Sequence, residues 1–112
     1  MPNANTRRAL IAGAMTALLA AAALPAAAAD AGRGHQIAKS WCTSCHVIDN
    51  AGTGTRIDTA PGFPTIAADA ARSDERRLSG WLSTSHPTMP DFGMARDEVA
   101  DLVAYIRTLG PR

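Results

Sequence analysis

Hydrophobic and polar positions divide the 112-residue chain into a head dominated by one uncharged run and a body of short amphipathic stretches. From Ala9 to Ala29 no residue is charged. Leu10, Ile11, Leu18, Leu19 and Leu24 stand among alanines there, and Pro25 breaks the run. Past Asp30 the apolar spacing becomes three and four. Gly34, Ile37, Ala38, Trp41 and Cys45 fall near one face, which predicts a helix from Ala31 to His46. From Asp49 to Pro61 the chain is rich in Gly, Thr, Asp and Asn without a period, the composition of a loop. Pro64 suits the start of a short helix reaching Ala71, with Ile66, Ala67 and Ala70 inward. Ser73 is the expected cap of a further helix, with Asp74 and Glu75 at its positive end. Leu78, Trp81 and Leu82 follow at helical spacing, and Pro87 prevents continuation. The last helix is expected from Arg96 to Leu109, where Gly110 and Pro111 stop it. Its apolar stripe is Val99, Leu102, Val103, Ile106 and Leu109. No strand-like alternation and no internal repeat occur, so the expected fold class is all-α.

The head has the order of a secretory signal. Arg7 and Arg8 come first, the apolar run follows, and small residues close it. Ala27 and Ala29 supply the small side chains of a cleavage site, which places the signal at 1–29 and the functional domain at 30–112. The run is long enough to span a bilayer, for which about 20 apolar residues suffice. Its alanine content, Pro25 and the lack of a basic stop-transfer cluster favour a removable signal over an anchor. The expected destination is the periplasm.

Removing 29 of 112 residues leaves 83, which keep 9 of the 11 basic residues and all 10 acidic ones, for a formal charge of −1. That balance excludes a nucleic-acid binder working through a strong basic field. A domain this short gains only a modest core and usually needs a disulfide, metal or cofactor as well.

The chemistry is concentrated in Cys42-Thr43-Ser44-Cys45-His46, the C-x-x-C-H pattern of covalent haem attachment. Thiols about one helical turn apart can add to two vinyl groups of one porphyrin. The histidine directly after the second thiol then lies under the iron, making His46 the expected first axial ligand. Three other readings fit less well. A thioredoxin-like pair needs a strand before it, a fold-stapling disulfide rarely closes so short a loop, and zinc needs a second ligand pair that His35 and His86 do not provide. The sixth ligand separates an electron shuttle from an open, small-molecule-binding iron. Beyond the signal only Met89 and Met94 remain. Met89, between Pro87 and Pro90, belongs to a stiff and extended loop suited to presenting a thioether. Met94, after Gly93, suits a core or capping contact, and His86 or an open site is the remaining alternative.

Taken in order, these residues resemble the class I c-type cytochromes, the small soluble monohaem kind from bacteria. The resemblance spans about Gly34 to Leu109. It rests on Gly34 before the haem motif, on Cys42, Cys45 and His46, on Ala60-Pro61-Gly62-Phe63, on Met89-Pro90, and on a closing helix with Tyr105-Ile106. It implies the cytochrome c fold, three to five helices around one haem c attached through Cys42 and Cys45. Gly34 would let Tyr105 approach where the first and last helices cross. The Pro61 carbonyl would accept the free N–H of His46, and Phe63, Ile66, Leu78, Trp81 and Leu82 would line an apolar pocket. Arg56 or Trp81 would bond a propionate. Relatives often carry Ser or Thr where Ala95 precedes the last helix, so the cap there is expected to be weak or supplied elsewhere. The implied function is a periplasmic one-electron carrier with His46 and Met89 on the iron. It would be a monomer that meets protein donors and acceptors transiently, and it would have no catalytic residues of its own. The alternatives are a cytochrome subunit of a periplasmic dehydrogenase or oxidase and, further off, an open-site haem sensor or peroxidase.

Overall fold

A computed structural model describes Ala23 and residues 26–112. Most of the signal reading therefore lies outside the described residues. Four helices follow in order: α1 (Ala31–Trp41), α2 (Phe63–Ala68), α3 (Glu75–Leu82) and α4 (Arg96–Thr108). Among the described residues there is no strand, only an isolated antiparallel bridge between Val47 and Gly54. The all-α expectation holds.

The helix α4 organises the others. Val99, Leu102, Val103 and Ile106 of the expected stripe are buried, and α1, α2 and α3 all pack against α4. Ile48, Leu102 and Ile106 form the fully enclosed centre. The helices α1 and α4 approach most closely at Gly34. A Cβ on Gly34 would run into the backbone carbonyl of Asp101 and come within 2.8 Å of Tyr105 Cβ. The crossing therefore needs a residue without a side chain.

The three largest boundary differences from expectation each have a local reason. Regular helix α1 stops at Trp41, and a hydrogen-bonded turn carries the chain through His46. Asp69 leaves helical geometry and its carboxylate accepts from Ala71 N and Arg72 N, so α2 ends at Ala68 rather than Ala71. The cap of α3 is Asp74, not Ser73. Asp74 Oδ1 accepts from Arg77 N at 2.9 Å, whereas the Ser73 hydroxyl donates to Asp69 O at 2.9 Å and closes the preceding turn. A carboxylate is a strong cap because it meets both the open amides and the positive end of the dipole.

At α4 the expected weakness has a partial remedy. Ala95 has no side-chain acceptor, but its own N–H donates to Glu98 Oε2 at 2.8 Å. This is one half of a capping box. Ala95→Ser should supply the other half and raise stability by about 1 kcal/mol. Thermal unfolding would then show a midpoint about 4–8 °C higher; an unchanged midpoint would mean that the first turn is already satisfied.

Candidate functional site

The haem motif occupies the turn that leaves α1. Cys42 N–H still donates to Ala38 O, and Cys42 O in turn accepts from Cys45 N at 3.2 Å and from His46 N at 2.8 Å. Cys42, Cys45 and His46 thus share one turn. Both cysteines are free thiols. Cys42 is buried, and desolvation pushes its thiol up to about 11. It is therefore protonated near neutral pH, and a protonated thiol is slow to form a disulfide or to capture a metal.

The segment after His46 is folded tightly against the helices. Asp49 Oδ1 accepts from Ala51 N at 3.0 Å and Thr53 N at 2.9 Å, which closes a turn. Hydrogen bonds from Thr53, joined by those from backbone amides, hold the Asp49 carboxyl below its ordinary range. Thr55 N donates back to His46 O, and Gly54, at φ +107°, passes so close to that carbonyl that a side chain would collide with it. Tyr105 OH donates to Ile48 O at 2.9 Å and ties the loop to α4. Burial raises the Tyr105 phenol above its ordinary value.

This folding brings Pro61 and Phe63 to His46. The His46 Nδ1–H donates to Pro61 O at 2.7 Å, since a carbonyl can only accept. The tautomer is thereby set, and the lone pair of Nε2 is left for a ligand bond. The Phe63 ring lies 5.3 Å from the imidazole and is itself buried.

A second cluster forms where α3 ends. His86 Nδ1–H donates to Thr84 O at 3.0 Å, and His86 Nε2 lies 3.0 Å from Met89 Sδ. The segment is not extended, as the two prolines had suggested. Pro87 is followed by Thr88 at φ +71°, the pattern of a type II turn, in which the first and fourth residues come together. That turn accounts for the meeting of His86 and Met89. A β-branched residue in this region is strained, and such strain gathers at functional segments. Leu78 is buried and Leu82 half-buried, but Trp81 is 57% exposed with its ring edge-on to His86 at 4.9 Å. Met94 packs against the core, and with Leu82, His86, Met89 and Phe92 it lines one small cleft. Arg56 is exposed in the 46–62 loop.

The two clusters are linked by a contact that the sequence pattern did not single out. The Trp41 and Phe92 rings stack 5.8 Å apart, within 8° of parallel. Trp41 directly precedes the first thiol, and Phe92 lies three residues past Met89. The only signal for it was two large aromatics flanking the two candidate ligand segments.

Free thiols one turn apart and an imidazole with its second nitrogen already committed are the donor set that haem c requires. The cytochrome c family matches residues 31–110, and the chain belongs to this family, as a class I c-type cytochrome. It is a haem c electron-transfer protein whose cofactor is covalently attached. It is 41% identical over 93 residues to cytochrome c-552 of Bradyrhizobium diazoefficiens, an alignment covering 83% of this chain and 88% of that one. No solved structure gives a significant match. Among the described residues, no helix is long and apolar enough to cross a membrane.

Proposed function

We propose that the chain is a periplasmic one-electron carrier in which His46 and Met89 complete the iron sphere. The signal pattern of residues 1–29 supports export, with residues 30–112 as the working domain. Cys42 and Cys45 would hold the haem, each S–H adding across one vinyl double bond, sulfur to one carbon and hydrogen to its neighbour, which needs no net oxidation. Haem iron supplies the ferric–ferrous couple.

The observation that carries this reading is the 2.7 Å bond from His46 Nδ1–H to Pro61 O. It orients the imidazole and fixes its tautomer, as carbonyl partners do for ligand histidines. Met89 offers a soft thioether from a turn stiffened by Pro87 and Pro90. A soft sixth ligand favours the ferrous state and raises the potential. The buried Phe63 and, beside His86, the exposed Trp81 ring would give a bound haem apolar cover, and Trp81 or Arg56 would bond a propionate. With His46 and Met89 both holding the iron, the chain would need no acid, base or substrate pocket. A formal charge of −1 for residues 30–112 supports brief, weakly steered encounters with protein donors and acceptors.

Carbon monoxide tests the closed sphere. The reduced protein should resist it at neutral pH, whereas rapid binding would indicate an open iron and a sensor or peroxidase role. Affinity capture from the source periplasm should give no stoichiometric large subunit; a stable one would reassign the chain to an enzyme complex.

A further inference from the structure

Among the described residues, Asp101 is the one buried charged side chain. It is 3% exposed, on α4, at the closest approach of α4 to α1. Its Oδ1 accepts from the backbone N–H of Asp30 at 2.6 Å. Arg33 Nε lies 2.8 Å from Oδ2, but off the axis of a hydrogen bond, so Oδ2 has an ionic neighbour and no donor. A buried carboxylate left short of a donor is costly. Asp30 is also the residue expected to follow the signal cleavage, and Ala26 to Asp30 are exposed. The nitrogen held by Asp101 is therefore the nitrogen that processing would free.

We propose that Asp101 is the receptor for the α-ammonium group that signal removal creates on Asp30. This rests on the export reading above, with cleavage after Ala29. Hydrolysis of the Ala29–Asp30 amide by water leaves a carboxylate on Ala29 and an amine on Asp30, which takes up a proton near neutral pH. An amide offers one N–H, and Oδ1 already takes it. An ammonium offers three, enough to serve Oδ2 as well, and it adds a positive charge beside a buried negative one. The neighbouring charges favour it. Asp30 at the cap of α1, Arg33 on α1, and Asp97 and Asp101 on α4 make three carboxylates against one guanidinium. Arg33 is already shared, since its NH2 group donates to Asp97 Oδ2 at 2.9 Å. An ammonium at a helix N-terminus opposes the dipole. The Asp101 carboxylate, and the Asp30 carboxylate that caps Arg33 N at 3.0 Å, offset that. Processing would then lock α1 onto α4 once the leader is gone.

The pH dependence follows in sign. An α-amino group titrates near about 7.7–8.0 when free, and a carboxylate partner raises that value. The added stability is full below the free value and is lost as pH rises through the raised one.

The test compares two holoproteins secreted under a foreign leader and released by a protease whose site leaves either Asp30 or Ala29 first. The Asp30 start should melt about 4 °C or more higher at pH 6–7. The gap should close as pH rises beyond about 8 toward 10, and Asp101→Asn should abolish it. Equal midpoints at pH 6–7, or a gap that survives Asp101→Asn, would overturn the proposal. Acylation of the terminal amine at pH 7 gives a reading that needs no Asp101 variant. It should run about ten-fold slower in the folded protein than in a peptide of residues 30–36, the effect of one unit of raised pKa; equal rates would overturn the proposal. Intact mass of protein exported under its own leader reads the processing step separately. A start at Asp30 supports that step, and any other start overturns it whatever the engineered pair shows.

Discussion

Replacing Met89 with Ala is expected to abolish the weak sulfur-to-iron absorbance band at the red end of the ferric spectrum, to lower the reduction potential, and to admit carbon monoxide to the ferrous protein. The thioether is the soft ligand that favours ferrous iron, so its loss favours ferric iron. Met94→Ala is the control. Met94 packs partly buried against the core and lines the same cleft as Met89. Its truncation should cost stability, about 2 kcal/mol as for a partly enclosed methionine, and leave the band in place. The reverse pattern would move the ligand role to Met94. A band that persists in both single variants and disappears in the double variant would show that each can replace the other.

The second large effect concerns the crossing of α1 and α4. Gly34→Ala adds one methyl group, which in an open helix would stabilise by roughly 0.5–1 kcal/mol. Here that methyl group meets the Asp101 carbonyl and the Tyr105 Cβ, neither of which is the free end of a flexible chain. The helices must separate, and the net loss should be about 2 kcal/mol or more. For a domain of this size that lowers the unfolding midpoint by about 8 °C or more. Gly80 on α3 is the counterpart, because a Cβ there meets nothing within 4 Å. Gly80→Ala should therefore raise stability by about 1 kcal/mol. Two Gly→Ala changes of opposite sign, measured by thermal unfolding of the holoprotein, test whether Gly34 is required by packing. Equal effects would contradict that.

The parts of the structure legible in the sequence are those with a strong period or a dense motif. The α4 stripe from Val99 to Ile106 and the stop at Gly110 marked the last helix with its end off by one residue. The C-x-x-C-H pattern marked the cofactor outright. The end of α2 and the cap of α3 were not legible, because Asp69, Ser73 and Asp74 all carry plausible capping groups within six residues. Only the positions of Ala71, Arg72 and Arg77 N–H decide among them. The turn at Pro87 and Thr88 was hidden for a different reason. Type II turns normally advertise themselves by glycine at the third position, and threonine occupies it here. Asp101 escaped notice because it lies beside the apolar stripe, although its spacing of four from Tyr105 puts both on the face that meets Gly34.

The covalent bond between the chain and its haem is the central claim, and acid–acetone extraction tests it most directly. Protein matured in a haem-attaching host should keep its colour with the polypeptide after extraction. The Cys42→Ala, Cys45→Ala double variant should release any haem that it binds into the acetone. Colour that leaves the unaltered protein freely would contradict attachment through Cys42 and Cys45.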